Sequence, residues 1–281
     1  MPELPEVETV ASGVHKRVGG DRILDVWFSS YAQPFKTPAA RQARGLEGRF
    51  FLAVHRTGKH IVCEMASAKP DRRKAAQAAD AQWIVHLGMT GRLLVTTPDA
   101  PLATHTHARL TLASGKEVRF VDPRRFGRLE WRDLAKEMPF TAAGQEPLGI
   151  ESEAFAALFR GRKLAIKAAL LNQSLLTGVG NIYADESLFR AGIRPTRMAG
   201  RLSRAELEGL RTHLRRVLEH AIQLGGSSVS DYVDAEGVRG FFQLEHCVYQ
   251  RTGEPCRVCK TPIKKIVVGG RSTHFCAKCQ H

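Results

Sequence analysis

The sequence predicts an α+β chain of two domains, and three observations carry that prediction. Alternating, β-rich stretches such as residues 83–87 and 117–121 crowd the first half. Apolar residues at helical intervals take over in the second half, beyond residue 152. Four cysteines, in the pattern Cys256-x2-Cys259 and Cys276-x2-Cys279, lie at the end. A chain of 281 residues is long enough for two domains of ordinary size.

The chain opens Met1-Pro2-Glu3-Leu4-Pro5-Glu6, and two readings fit. Prolines in a first helical turn, with Glu3, Glu6 and Glu8 where the helix dipole favours negative charge, are ordinary helix-opening chemistry. The other reading is chemical. The small second residue favours removal of Met1, which would free Pro2 as a secondary amine. A generic α-amino group has a pKa of about 7.8 against about 10.4 for lysine, so near pH 7.4 roughly a quarter of such amines are unprotonated, against roughly one lysine in a thousand. Such an amine can attack a sugar C1′ and pass through an iminium ion, as lysines do with carbonyl carbons. Glu3 is then an adjacent candidate acid or base.

Within the strand-rich half, residues 66–81 read as a surface excursion, with a charge run at 69–74 and an alanine-rich tail. Two segments, His86-Leu87-Gly88-Met89-Thr90-Gly91 and Val121-Asp122-Pro123-Arg124-Arg125-Phe126-Gly127, follow predicted strands and read as loops. An enzyme acting on one base must extrude it from the duplex and fill the vacancy with side chains that stack or wedge. Met89, Arg124 and Phe126 suit that task. Viewed one at a time, Met89 and Phe126 fit better as core residues and the arginines as a solvated face.

Residues 136–152, with two prolines and two glycines, read as a linker. Beyond it Leu164, Ala168, Leu170 and Leu171 fall at helix-like intervals, and a second helix runs on from Asn181, read as its cap. Gly178 and Gly180 would let the connection turn tightly and approach a phosphate at the helix N-terminus, or serve an ordinary helical hairpin. A longer helix is expected over residues 203–224, with a Ser203/Glu206 capping box and a stripe of Leu207, Leu210, Leu214, Val217, Leu218 and Ala221. The two CxxC pairs suit one structural, four-thiolate Zn2+ site with no open position for water. Between them two short strands meet at Gly269-Gly270. Cys63 and Cys247 stay outside this scheme and are expected to be buried thiols.

Charge narrows the partners. Lys and Arg number 42 against 28 Asp and Glu, a formal net charge of +14, which suits a polyanion without choosing between nucleic acid, an anionic membrane and solubility alone. No apolar run approaches the roughly 18 residues of a membrane-spanning helix. The start lacks the charged-then-apolar pattern of a secretion signal, so a soluble, intracellular protein is expected.

Together these segments resemble the formamidopyrimidine-DNA glycosylase family, which includes endonuclease VIII. The likeness runs through M-P-E-L-P-E-V-E-T, H-L-G-M-T-G, D-P-R-R-F-G, G-V-G-N-I-Y-A-D-E-S-L-F and the CxxC pairs, in order. The endonuclease VIII branch typically opens with glycine where this chain has Leu4. The resemblance implies an N-terminal helix plus β-sandwich over residues 1–135, a helix-two-turn-helix domain over 153–245 and a zinc finger over 246–281, with DNA in a cleft between the halves. It also implies a monomeric base-excision repair enzyme acting on damaged double-stranded DNA in the bacterial cytoplasm. Pro2 would be the nucleophile, Glu3 the acid and base, Glu6 a carboxylate near the lesion, and Lys59 a phosphate contact. His105 would contact DNA, Met89, Arg124 and Phe126 would fill the hole, and Asn181 and Arg271 would hold phosphates. Residues 227–242 would form a lid over 8-oxoguanine. Excision through a Pro2 imine and strand cleavage by β,δ-elimination would follow, without a redox cofactor or catalytic metal. Two alternatives stay open: an endonuclease VIII-like enzyme for oxidised pyrimidines, and a catalytically silent DNA-binding protein.

Overall fold

The computed structural model describes residues 1–70, 78–228 and 232–281. Most of the charge run expected at 69–74 lies outside them, as do the middle of the 66–81 excursion and three residues of the expected lid. The described chain divides into two compact units, Met1–Thr141 with Gly225–Gly240, and Ala142–Leu224 with Phe241–His281.

In the first unit, helix α1 (Leu4–Val18) buries Val7, Val10, Ala11, Val14 and Val18, a helix-period stripe. Eight strands follow: β1 (Ile23–Phe28), β2 (Phe50–Thr57), β3 (His60–Ala66), β4 (Ala81–His86), β5 (Arg92–Thr96), β6 (Thr106–Leu112), β7 (Glu117–Val121) and β8 (Arg128–Asp133). They form two antiparallel sheets of order β1-β6-β7-β5 and β2-β3-β4-β8. Leu110 and Phe120 from one sheet and Phe51, Trp83 and Leu129 from the other share a single apolar core with the α1 stripe. This is the expected helix plus β-sandwich. A short helix, α2 (Ala39–Leu46), was not anticipated. Its Gly45 is so close to Trp131 that a Cβ there would stand 2.4 Å from the indole ring.

The second unit holds α3 (Ser152–Phe159), α4 (Ile166–Leu170), α5 (Asn181–Arg190) and α6 (Arg204–Gln223), then the hairpin β9 (Lys264–Val268) and β10 (Arg271–Phe275). Helix α6 carries the expected reciprocal box, Ser203 N–H donating to Glu206 Oε2 at 2.8 Å and Glu206 N–H to Ser203 Oγ at 3.2 Å, and buries the six stripe residues read from the sequence. The cap of α5 is corrected: Gly180 has the extended backbone of an N-cap, φ −132° and ψ −163°, and Asn181 is the first helical residue.

The expected linker contributes backbone bonds within each unit. Phe140 N–H donates to Gln82 Oε1 at 2.8 Å in the first unit. In the second, Gln145 bonds through its backbone to Leu175 and Thr177. The segment assigned in the sequence to the end of the helical domain is also divided differently, since Gly225–Gly240 clusters with the first unit. There Tyr232 and Ala235 join the sandwich core and Val95 N–H donates to Ala235 O at 2.9 Å.

Candidate nucleic-acid site

At the chain start the opening hexapeptide leads into the first turn of α1, as the helix-opening reading expects. Pro2 is buried beside Glu3, which caps α1 in a box with Glu6, and Glu3 N–H donates to Glu6 Oε2 at 2.8 Å. Glu6 also accepts Ser227 N–H on Oε1 at 2.7 Å, and its carbonyl accepts from the Tyr232 hydroxyl at 3.3 Å. Gly226 lies so near that a Cβ would stand 2.9 Å from Glu6 Oε1, and its φ is +80°. Ser227 and Tyr232, both within the expected lid, are therefore tied to the first helical turn. Tyr232 carries a phenol pushed upward by burial and by Glu6.

Two loops are bolted together at another place in this unit. Asp122 is fully buried; its Oδ1 accepts from Thr90 Oγ1 at 2.6 Å and its Oδ2 from Gly127 N–H at 2.8 Å. Thr90 Oγ1 in turn accepts Arg124 N–H at 3.3 Å. The Asp122 carbonyl faces His107 Nε2 at 3.1 Å, which must carry the proton because a carbonyl only accepts, leaving Nδ1 to accept from Ser29 Oγ at 3.1 Å. Asp122 N–H donates to His105 O at 3.0 Å, so exposed His105 is tied to the same node. Outward from it project Met89, 41% exposed, and Phe126, 49% exposed, with the Arg124 guanidinium 4.8 Å from the Phe126 ring centroid. The core alternative for Met89 and Phe126 is excluded.

Lys59 sits in the β2–β3 turn and is buried, contrary to the solvated strand lysine it resembles in sequence. It is near His86, whose pKa is pushed down to about 4 by burial first, then by His60, Lys59 and Arg128. His86 is thus neutral at neutral pH, and its Nδ1 accepts Gly88 N–H at 3.1 Å.

In the second unit the α4–α5 connection and the zinc hairpin converge. Asn181 Nδ2 donates to Ser272 O at 2.9 Å, which sets it beside Arg271, exposed at the head of β10. Lys167 and Asp185 form a fully buried ion pair at 2.7 Å. Lys167 Nζ also donates to Ser272 O and Thr273 Oγ1, both at 2.8 Å, and Asp185 Oδ2 accepts His274 N–H at 2.8 Å. Nothing in the sequence signalled this pair, because lysine and aspartate are common on exposed helix faces.

The thiol groups of Cys256, Cys259, Cys276 and Cys279 lie within 4.8 Å of one another. A tetrahedron of Zn–S bonds of about 2.3 Å has edges of about 3.8 Å, so the set fits one zinc ion. Val258 N–H and Cys279 N–H donate to Cys256 Sγ and Cys276 Sγ, each at 3.4 Å, the support thiolates need. Cys63 is buried as expected, whereas Cys247 is only partly so, because it lies where residues 247–249 wrap the Glu186 carboxylate with backbone N–H groups.

Comparison with known proteins agrees over the whole length. Residues 1–129 match the formamidopyrimidine-DNA glycosylase N-terminal domain, 144–233 its H2TH domain, and 253–281 a zinc finger found in FPG and IleRS. The chain is 46% identical to the formamidopyrimidine-DNA glycosylase of Cupriavidus pinatubonensis, covering 100% of both, and 45% identical to that of Solibacter usitatus, covering 100% of this chain and 99% of the relative. Among solved structures it is similar to Lactococcus lactis FPG G226P bound to Fapy-dG DNA, with TM-score 0.88, 33% identity and full coverage of both chains. The wild-type Lactococcus lactis protein bound to oxidised-pyrimidine DNA gives TM-score 0.87 at 33% identity, again with full coverage of both chains.

Proposed function

The chain belongs to the formamidopyrimidine-DNA glycosylase family, a family of DNA glycosylases, and from that premise we propose that it excises oxidised purines, 8-oxoguanine and formamidopyrimidines, from duplex DNA and then cleaves the strand. The reading is carried by one observation: two loops joined through a buried carboxylate present exposed Met89, Phe126 and Arg124 together, apolar and cationic groups fit to occupy an emptied base position. The relatives bear the glycosylase name, and the similar solved structures hold Fapy-dG, abasic and oxidised-pyrimidine DNA. The protein would act as a monomer at the bacterial chromosome, and among the described residues no helix is long and apolar enough to cross a membrane.

In this mechanism, removal of Met1 frees the Pro2 nitrogen, which attacks C1′ of the extruded nucleotide as the base leaves from that carbon. Glu3 delivers a proton to O4′, the sugar ring opens, and the C1′–N bond becomes an iminium. The iminium acidifies the C2′ hydrogen, whose loss expels the 3′-phosphate; a second elimination expels the 5′-phosphate. Lys59, His105, Asn181 and Arg271 hold phosphates around the extruded nucleotide, Arg124 pairs with the orphaned cytosine, and Glu6 couples the Ser227 segment to the first helical turn. Extrusion costs a few kcal/mol and less for a weakened pair, so part of the discrimination precedes chemistry. Zn2+ on the four cysteines would hold the hairpin that carries Arg271 and would take no part in the chemistry.

The test is sodium borohydride trapping on a duplex carrying 8-oxoguanine opposite cytosine. The parent is expected to give a covalent adduct, and Pro2→Gly and a Met1-retaining variant to lose it. Trapping with oxidised pyrimidine alone would transfer the assignment to an endonuclease VIII-like activity. Binding to both duplexes without trapping on either would leave a DNA-binding protein without chemistry.

A further inference from the structure

We infer that Asp122 and Thr90 are positioning residues that make the Met89 loop, the Arg124–Phe126 loop and His105 move as one rigid plug. The inference rests on the reading of Met89, Arg124 and Phe126 as the groups that fill the vacated base position. Three exposed segments distant in sequence converge on Asp122. Its two carboxylate oxygens take one bond each, from Thr90 Oγ1 at 2.6 Å and from Gly127 N–H at 2.8 Å. Its own N–H goes to His105 O at 3.0 Å, and its carbonyl accepts from Arg125 N–H at 3.2 Å.

The Thr90 hydroxyl is the link between the loops. It donates to Asp122 and accepts Arg124 N–H at 3.3 Å, so one oxygen ties the backbone that carries Arg124 to the loop that carries Met89. Close packing completes the joint. A Cβ on Gly88 would stand 2.5 Å from Phe126 C and Gly127 N, and one on Gly127 would stand 2.5 Å from Phe120 Cζ in the sandwich core. Arg125 is held at φ +56° with its guanidinium 4.8 Å from the Tyr31 ring centroid. That ring meets His107, which bonds the Asp122 carbonyl. A plug ordered before it meets DNA loses no affinity to loop ordering when it enters the stack. It also keeps the wedge and the arginine in one register, so the base is pushed out and its partner captured in a single step.

Thr90→Val removes only the hydroxyl and keeps the shape, while Thr90→Ser keeps the hydroxyl. Asp122→Asn is the second probe, since an amide supplies one acceptor where the joint needs two. Two substrates separate plug from chemistry: an 8-oxoguanine:cytosine duplex, where a hole must be filled, and a single-stranded abasic oligonucleotide, where none exists. For Thr90→Val and Asp122→Asn we expect kcat/KM on the duplex to fall about ten- to hundredfold, as loss of a hydrogen bond to a charged group implies. Cleavage of the single-stranded abasic oligonucleotide should stay at the parent rate, and Thr90→Ser should restore duplex activity. A duplex with tetrahydrofuran in place of the lesion and 2-aminopurine beside the orphaned cytosine reads the plug without chemistry. Its fluorescence change on binding should be present in the parent and Thr90→Ser and absent in Thr90→Val.

Parent-like fluorescence and duplex kinetics in Thr90→Val would overturn the inference. So would equal losses on both substrates with a lowered melting temperature, which would mark a merely structural joint. A parent that cleaves neither substrate, yet shows a fluorescence change dependent on the Thr90 hydroxyl, would sink the proline-imine reading and support this one.

Discussion

Lys167 is enclosed on every side, and its ammonium is satisfied by Asp185, Ser272 and Thr273. Removing one member of such a pair strands a buried charge. Lys167→Met should therefore cost about 3–5 kcal/mol, and the double replacement Lys167→Met with Asp185→Leu should cost less than the single one. Urea unfolding of the three proteins checks this. His86 makes the opposite kind of statement. Burial holds its folded pKa at about 4, below the ordinary 6.5. The unfolded chain therefore takes up a proton first as the pH falls. The contribution is fully present above pH 6.5 and is lost between about 6.5 and 4. His60, His107, His213 and His246 are lowered by burial too, while His55 is raised by Glu64. His86→Gln should flatten the acid limb of a stability-versus-pH curve without abolishing it.

At the scale of elements, α6 and the zinc hairpin were legible because their signals are local. A capping box and a period of about 3.6 residues need no partner to be seen. Ser203→Ala, which removes the cap, should cost about 1 kcal/mol in thermal unfolding. Gly269 and Gly270 sit at φ +56° and +73°, the backbone a two-residue hairpin turn demands. The strands they join carry the exposed Arg271. Chelation of zinc should release this hairpin, seen as loss of ordered amide protection over residues 256–281, and should abolish DNA retention with it. The α5 cap was misplaced by one residue because asparagine is a good cap in isolation. Here the Asn181 side chain is instead taken by Ser272, 91 positions away in sequence. Helix α2 was missed because eight residues with only Gln42 and Leu46 buried leave too short a stripe to recognise.

For the whole molecule, a net charge of +14 makes binding to duplex DNA strongly dependent on salt. A protein that neutralises about 6–10 phosphates loses roughly 10³–10⁵ in affinity between 50 and 200 mM salt, and a slope in that range is expected from fluorescence anisotropy. Arg271→Ala should reduce the slope of log affinity against log salt by about one, the amount for one phosphate contact.

The sequence by itself determined the two-part α+β architecture, the cysteine centre, the α6 stripe and family membership, since each is written in local periodicity or in a contiguous motif. It left open whether Met89 and Phe126 face the core or solvent and which carboxylates are structural. Those questions were decided by tertiary structure. Asp122 is one letter of D-P-R-R-F-G until folding delivers Thr90, 32 positions away, to its carboxylate. Ser227 likewise reaches Glu6 across 221 positions. A buried hydrogen bond depends on which chain segments the core brings together, and no window of neighbouring residues contains that information.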